Sequence, residues 1–140
     1  MQNLNMAALT NKSMGVRLLG VTFGLFIIFT SSNLSLIIWN NLYCYYLSIA
    51  LGGFVFGGII IKIEKALMIF LLTFTAAFLT SLLLVVAPSY MIGAEEDVNI
   101  LIAFITSLLS KHILISFPMC IIVGLLGCFV GGRLKGESAT

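Results

Sequence analysis

The feature that most constrains this chain is a set of four apolar stretches with uncharged interiors, separated by polar or amphipathic breaks. They run over about residues 17–39, 42–61, 66–92 and 113–132. A helix needs roughly 20 apolar residues to cross the hydrocarbon of a bilayer, and each stretch is of that order. The composition agrees: 61% of the residues are hydrophobic and only 9% are charged. Soluble domains run near 25% charged, and a water-soluble fold of this size would lack the polar side chains to cover its surface. Lipid removes that demand, because its tails solvate an apolar helix on every side. The expected fold is therefore an all-α integral membrane protein, a single domain over 1–140 with four transmembrane helices.

The placement of the basic residues sets an expected orientation. Lys12 and Arg17 precede the first stretch, Lys62 and Lys65 separate the second from the third, and Arg133 and Lys135 follow the fourth. Four spans thus put all but one of the 7 Lys/Arg on one side, leaving Lys111 with Glu95, Glu96 and Asp97 on the other. Basic loops stay in the cytoplasm, which places both termini there in a multi-pass cell-membrane protein. Trp39, Tyr43, Tyr45 and Tyr46 would form an aromatic belt at the outer headgroups, around a turn at Asn40-Asn41. A basic flank before a short apolar run also resembles a secretory signal, but no small-x-small cleavage site follows, so the first stretch is expected to remain as a span.

Residues 98–111 are too few to cross a membrane. Glu96, Asn99, Ala103, Thr106, Ser107, Ser110 and Lys111 gather on one helical face, with Ile100 and Phe104 at its edge. That pattern predicts an amphipathic helix in the interface before the last span. A re-entrant segment and an N-terminal extension of the last span are the alternatives. Lys111-His112 would then be an interfacial, snorkelling pair at the start of that span, although a lone histidine is also a candidate pH-sensing or ligating group.

Glycine supplies the clearest motif. Gly53, Gly57 and Gly58 in the second stretch recur as Gly127, Gly131 and Gly132 in the fourth, at one constant offset, and Gly124 extends the second set. Small residues four apart lie on one face and let helix backbones approach closely, which matters where no hydrophobic force joins helices. These seven glycines are read as helix-packing positions. Packing within the bundle, an interface between chains and the lining of a narrow path all fit the spacing. The constant offset also suggests a duplicated hairpin with both copies facing the same way.

Little else carries chemistry. The four stretches hold no Asp, Glu, Lys, Arg or His in their interiors, where coupled transporters usually keep one. No Ser/His/Asp set, paired intramembrane carboxylates or phosphate-cradling loop is present, so an enzyme is not expected and no cofactor or metal is implied. Cys120 and Cys128 would lie roughly 12 Å apart on one helix, beyond disulfide reach. Cys44, Cys120 and Cys128 are read as small packing residues, with a Cys44–Cys120 bridge left open. Pro118 is expected to kink the last span, and Thr73, Thr75, Thr80 and Ser81 to hydrogen-bond within or between helices.

No nucleic-acid partner is expected from a net charge of +2 without a clustered basic face. The intramembrane Glu of small multidrug exporters and the polar filter of fluoride channels are missing. Two readings follow. One is a small polytopic protein acting by helix packing, as a homo-oligomer or an accessory subunit of a membrane complex. The other is a small channel, holin-like pore or transporter formed by oligomerisation.

Overall fold

The computed structural model describes the backbone of residues 2–60, 62–91 and 95–136, and the side chains of 15–60, 62–91 and 98–136. Four helices account for almost all of it: α1 (Gln2–Trp39), α2 (Leu42–Ile60), α3 (Ile63–Met91) and α4 (Glu95–Lys135). Each contains a segment long and apolar enough to cross a membrane: Gly15–Trp39, Leu42–Ile60, Ile63–Met91 and Val98–Lys135.

The first two connections are short. Asn40 takes a left-handed conformation (φ 49°) that asparagine tolerates better than most residues, and its N–H still donates to Leu36 O at 3.0 Å. Asn41 then caps α2, its Oδ1 accepting the Cys44 N–H at 3.0 Å. Between α2 and α3 the chain reverses at Lys62, whose carbonyl already accepts the Ala66 N–H at 3.0 Å. Glu64 and Lys65 therefore lie within the exposed first turn of α3 rather than in a loop before it.

The helices form a ring in the order α1, α2, α4, α3. The contact of α2 with α4 is the most extensive, and the diagonals α1–α4 and α2–α3 are slight. Alternating direction makes α2 parallel to α4 and α1 parallel to α3. The core is drawn from all four: Leu25, Phe29 and Leu36; Tyr45 and Ile49; Phe70, Phe74 and Ala77; Ile105, Leu109 and Cys120. An aromatic bridge ties three of them, with ring centroids 4.9 Å apart for Phe29–Phe74 and 5.6 Å for Phe74–Phe117. Outward faces are apolar along their length, as at Leu19, Leu72 and Ile122.

Two expectations change here. The tail before Arg17 is helical backbone, continuous with α1. More consequentially, residues 98–111 are not a separate element but the first part of α4. Val98, Ile105, Leu109, Ser116, Cys120, Gly124, Gly127 and Gly131 are all buried. Their steps of three, four or seven residues trace one unbroken helical stripe. The polar face seen in the sequence is the outer side of this helix, and its inner side packs on the bundle. Pro118 interrupts nothing at this level: it faces outward and α4 runs through it, as α3 runs through Pro88 to Met91.

Candidate functional site

The α2–α4 seam is where most of the singled-out residues meet. A Cβ added at Gly57 would collide with the carbonyl of Gly124, one at Gly127 with the carbonyl of Phe54, and one at Gly131 with that of Gly58. At Gly53 it would lie 3.1 Å from both the carbonyl oxygen and the Sγ of Cys120, and at Gly58 it would lie 3.2 Å from the Gly127 oxygen. Backbone thus rests on backbone over about three turns, the approach in which Cα–H groups of one helix face carbonyl oxygens of the other. Gly124 has a second task, since Phe70 of α3 lies against it and a Cβ there would come within 2.9 Å of the ring Cζ. Gly132, next to Gly131, is also buried. The two glycine sets that looked like copies of each other therefore meet along this seam, Gly58 lying against both Gly127 and Gly131.

At its other end the seam becomes polar. Tyr45 OH and Ser116 Oγ are 2.9 Å apart in a fully buried hydrogen bond. One residue further round α2, Tyr46 OH lies 2.8 Å from His112 Nδ1. The rings stack edge to face, with centroids 5.1 Å apart for Tyr45–Tyr46 and 5.9 Å for Tyr46–His112. This divides both groups proposed from the sequence. Of the aromatic belt, Trp39 and Tyr43 are exposed, whereas Tyr45 is fully buried and Tyr46 half-buried. Of the Lys111-His112 pair, Lys111 is exposed and His112 turns inward onto Tyr46.

Elsewhere, three buried hydroxyls are bound to their own helices. Ser32 Oγ donates to Ile28 O at 2.7 Å, Thr73 Oγ1 to Ile69 O at 2.6 Å and Ser81 Oγ to Ala77 O at 2.7 Å. Thr75 does the same toward Leu71 on the outer surface, at 2.9 Å. Buried Thr30 Oγ1 has no hydrogen-bond partner among the described residues. The three cysteines are free, Cys44 exposed and Cys120 and Cys128 buried, so the Cys44–Cys120 bridge is not formed. Among the described residues no group of three metal-ligating side chains comes together. Glu95, Glu96, Asp97 and Lys12 lie outside the residues whose side chains are described.

No protein-family model, curated protein or solved structure matches this chain.

What sequence reasoning missed is the polar extension of the glycine seam. The signal was present: Tyr45, Ile49, Gly53 and Gly57 are each four apart, as are His112, Ser116, Cys120 and Gly124. Continued two or three turns back, the glycine faces run directly into Tyr45, Ser116 and His112.

Proposed function

We propose that this is a multi-pass membrane protein with both termini cytoplasmic, acting by helix packing as a subunit of a membrane assembly, either of its own copies or with other membrane proteins. The observation that carries this reading is the α2–α4 seam. Glycines bring two backbones together inside one chain, and the hydroxyls of Ser32, Thr73, Ser81, Tyr45 and Ser116 are engaged by neighbouring protein atoms. Such an interior is built to hold helices in place. The surface left for partners is the apolar outside.

Depth in the bilayer follows from the charged positions. From Lys111 to Arg133, α4 rises about 33 Å at 1.5 Å per residue, close to the roughly 30 Å hydrocarbon core. Arg133 and Lys135, with Lys62 and Lys65, then lie at cytoplasmic headgroups, and Lys111, Trp39 and Tyr43 at the outer ones. On this reading the part of α3 and α4 beyond Phe78 and Ser110, with the exposed Leu83 and Leu84 of α3, projects past the outer headgroups, and residues 98–110 stand upright against α3 instead of lying in the interface. Ile100 and Phe104, both exposed there, offer a contact surface outside the membrane.

The competing reading is a pore formed by oligomerisation. Gentle extraction from native membranes followed by native mass spectrometry separates the two. A stoichiometric complex with other membrane proteins, with no ion flux from the purified chain in liposomes, supports the packing role. Selective flux from the chain alone, abolished by Gly53→Leu or Gly127→Leu, overturns it.

A further inference from the structure

Between α3 and α4, on the outer side of the bundle, lies a groove of about 480 Å³. That is within the roughly 300–1,000 Å³ of typical ligand sites. Phe74 and Phe78 form its α3 wall, and Leu114, Phe117 and Pro118 its α4 wall. Thr75 and Ser110 contribute short side chains to its lining, and both are exposed. Thr75 is already bonded to its own helix, so the walls present carbon almost throughout.

The groove is not symmetric along the membrane normal. Ser110 marks its upper end, and from there to Pro118 it descends about 12 Å along α4. Lys111 is the residue next to Ser110. It lies one turn above Leu114 and two turns above Pro118 on the same helical face, both of which line the groove. Lys111 is also exposed, and it is the one cation of this sequence on the outer side of the proposed topology. An apolar channel that descends into the hydrocarbon, with an ammonium group and a hydroxyl at its headgroup end, has the charge and polarity of a phospholipid in reverse.

We propose that this groove binds an anionic phospholipid of the outer leaflet, with one acyl chain between α3 and α4 and the phosphate at Lys111 and Ser110. The site rests on the membrane topology proposed above. A long lysine side chain whose stem lies on apolar surface carries its charge upward to headgroup depth, which is where the phosphate of such a lipid sits. The aromatic walls then take the chain, and the short, exposed side chains of Thr75 and Ser110 leave room for it to enter sideways from the bilayer. A single lysine near an anionic headgroup is worth about a fivefold preference.

The full chain is reconstituted into nanodiscs of equal phosphatidylglycerol and phosphatidylcholine, and the lipids retained after release are counted by native mass spectrometry. The expected result is one retained phosphatidylglycerol. Its preference over phosphatidylcholine should fall about fivefold in Lys111→Ala and return in Lys111→Arg. It should be unchanged in Lys135→Ala, at the cytoplasmic end. Thr75→Phe, which fills the groove from α3 and leaves the charge, should lose the lipid while keeping the thermal stability of the parent. Equal retention of the two lipids by the parent, or an unchanged preference in Lys111→Ala, overturns the proposal. Failure of the chain to enter nanodiscs at all would instead overturn the membrane topology on which it rests.

Discussion

Replacing Gly127 with alanine puts a single methyl where the structure has none to spare. The new Cβ would meet the Phe54 carbonyl head on, with the Phe54 carbonyl carbon at 2.9 Å and the Gly58 nitrogen at 3.1 Å. All three are backbone atoms and cannot rotate away. Ordinary contact begins near 3.4 Å, so α2 and α4 must separate by something on the order of 1 Å. A gap of 0.5–1 Å forfeits about a quarter to a half of each dispersion contact, and the loss extends along the seam to Gly53, Gly57 and Gly131. Overpacking of this kind costs about 1–3 kcal/mol, against which alanine's better helix propensity returns up to about 1 kcal/mol. The expected net loss is about 1 kcal/mol against the parent, about fivefold in the folding equilibrium, and about 2 kcal/mol against a variant that keeps only the propensity gain. Reversible unfolding in mixed detergent micelles, followed by circular dichroism, measures it. Gly20→Ala is the matched control, because a Cβ there has nothing within 4 Å and only the propensity term remains. If Gly127→Ala proves as stable as Gly20→Ala, the seam is not the close backbone contact described here. Gly57→Ala should resemble Gly127→Ala, and the double variant should cost less than the two together, because one separation of the helices relieves both collisions.

Three further outcomes test other parts of the structure. Ser116→Ala should destabilise by about 2 kcal/mol, because it strands a buried phenol, whereas Tyr45→Phe should cost about 1 kcal/mol and the double variant should recover part of the loss; the same unfolding assay reads all three. Cys44 is exposed and the other two cysteines are buried. A membrane-impermeant maleimide added outside intact cells or right-side-out vesicles should therefore label Cys44 alone, and labelling only after permeabilisation would reverse the proposed orientation. Asn41→Ala removes the hydrogen bond that caps α2 and should cost about 1 kcal/mol, seen as a lower midpoint in the same titration.

Helix number and the rough extent of each helix were legible because the apolar stretches are long and the charges between them few. The glycine positions were legible for the same kind of reason, since a residue with no side chain repeated every four positions has a restricted set of uses in a helix. Their partners were not, because spacing describes one helix at a time and does not say which other helix fills the groove. Residues 98–111 misled for a physical reason. Their polar face is what a helix shows on an interface and equally what it shows on the outer side of a bundle, and only the burial of Ile105 and Leu109 separates the two. Tyr45 and Tyr46 misled similarly: tyrosine near a helix end is at home among headgroups, and a phenol is drawn inward only when a partner such as Ser116 or His112 waits there.

The matched glycines show how one sequence pattern can arise without duplication. A hairpin copied at that offset would place the counterpart of the Asn40-Asn41 turn inside α4, at Leu114-Ile115, where the helix is unbroken. The same residues need no common origin if they answer a common demand. Two parallel helices in backbone contact must each present small residues at the crossing, and the spacing in both is set by the same 3.6-residue turn. Gly58 lying against both Gly127 and Gly131 is that demand in its most local form, since a side chain on any of the three would displace the other helix. Beyond the glycines the two helices stay together by other means, first through Cys120 against Gly53, then through Tyr45 on Ser116 and Tyr46 on His112. Van der Waals contact can hold the seam only where backbones touch, and hydrogen bonds take over where larger side chains keep the backbones apart.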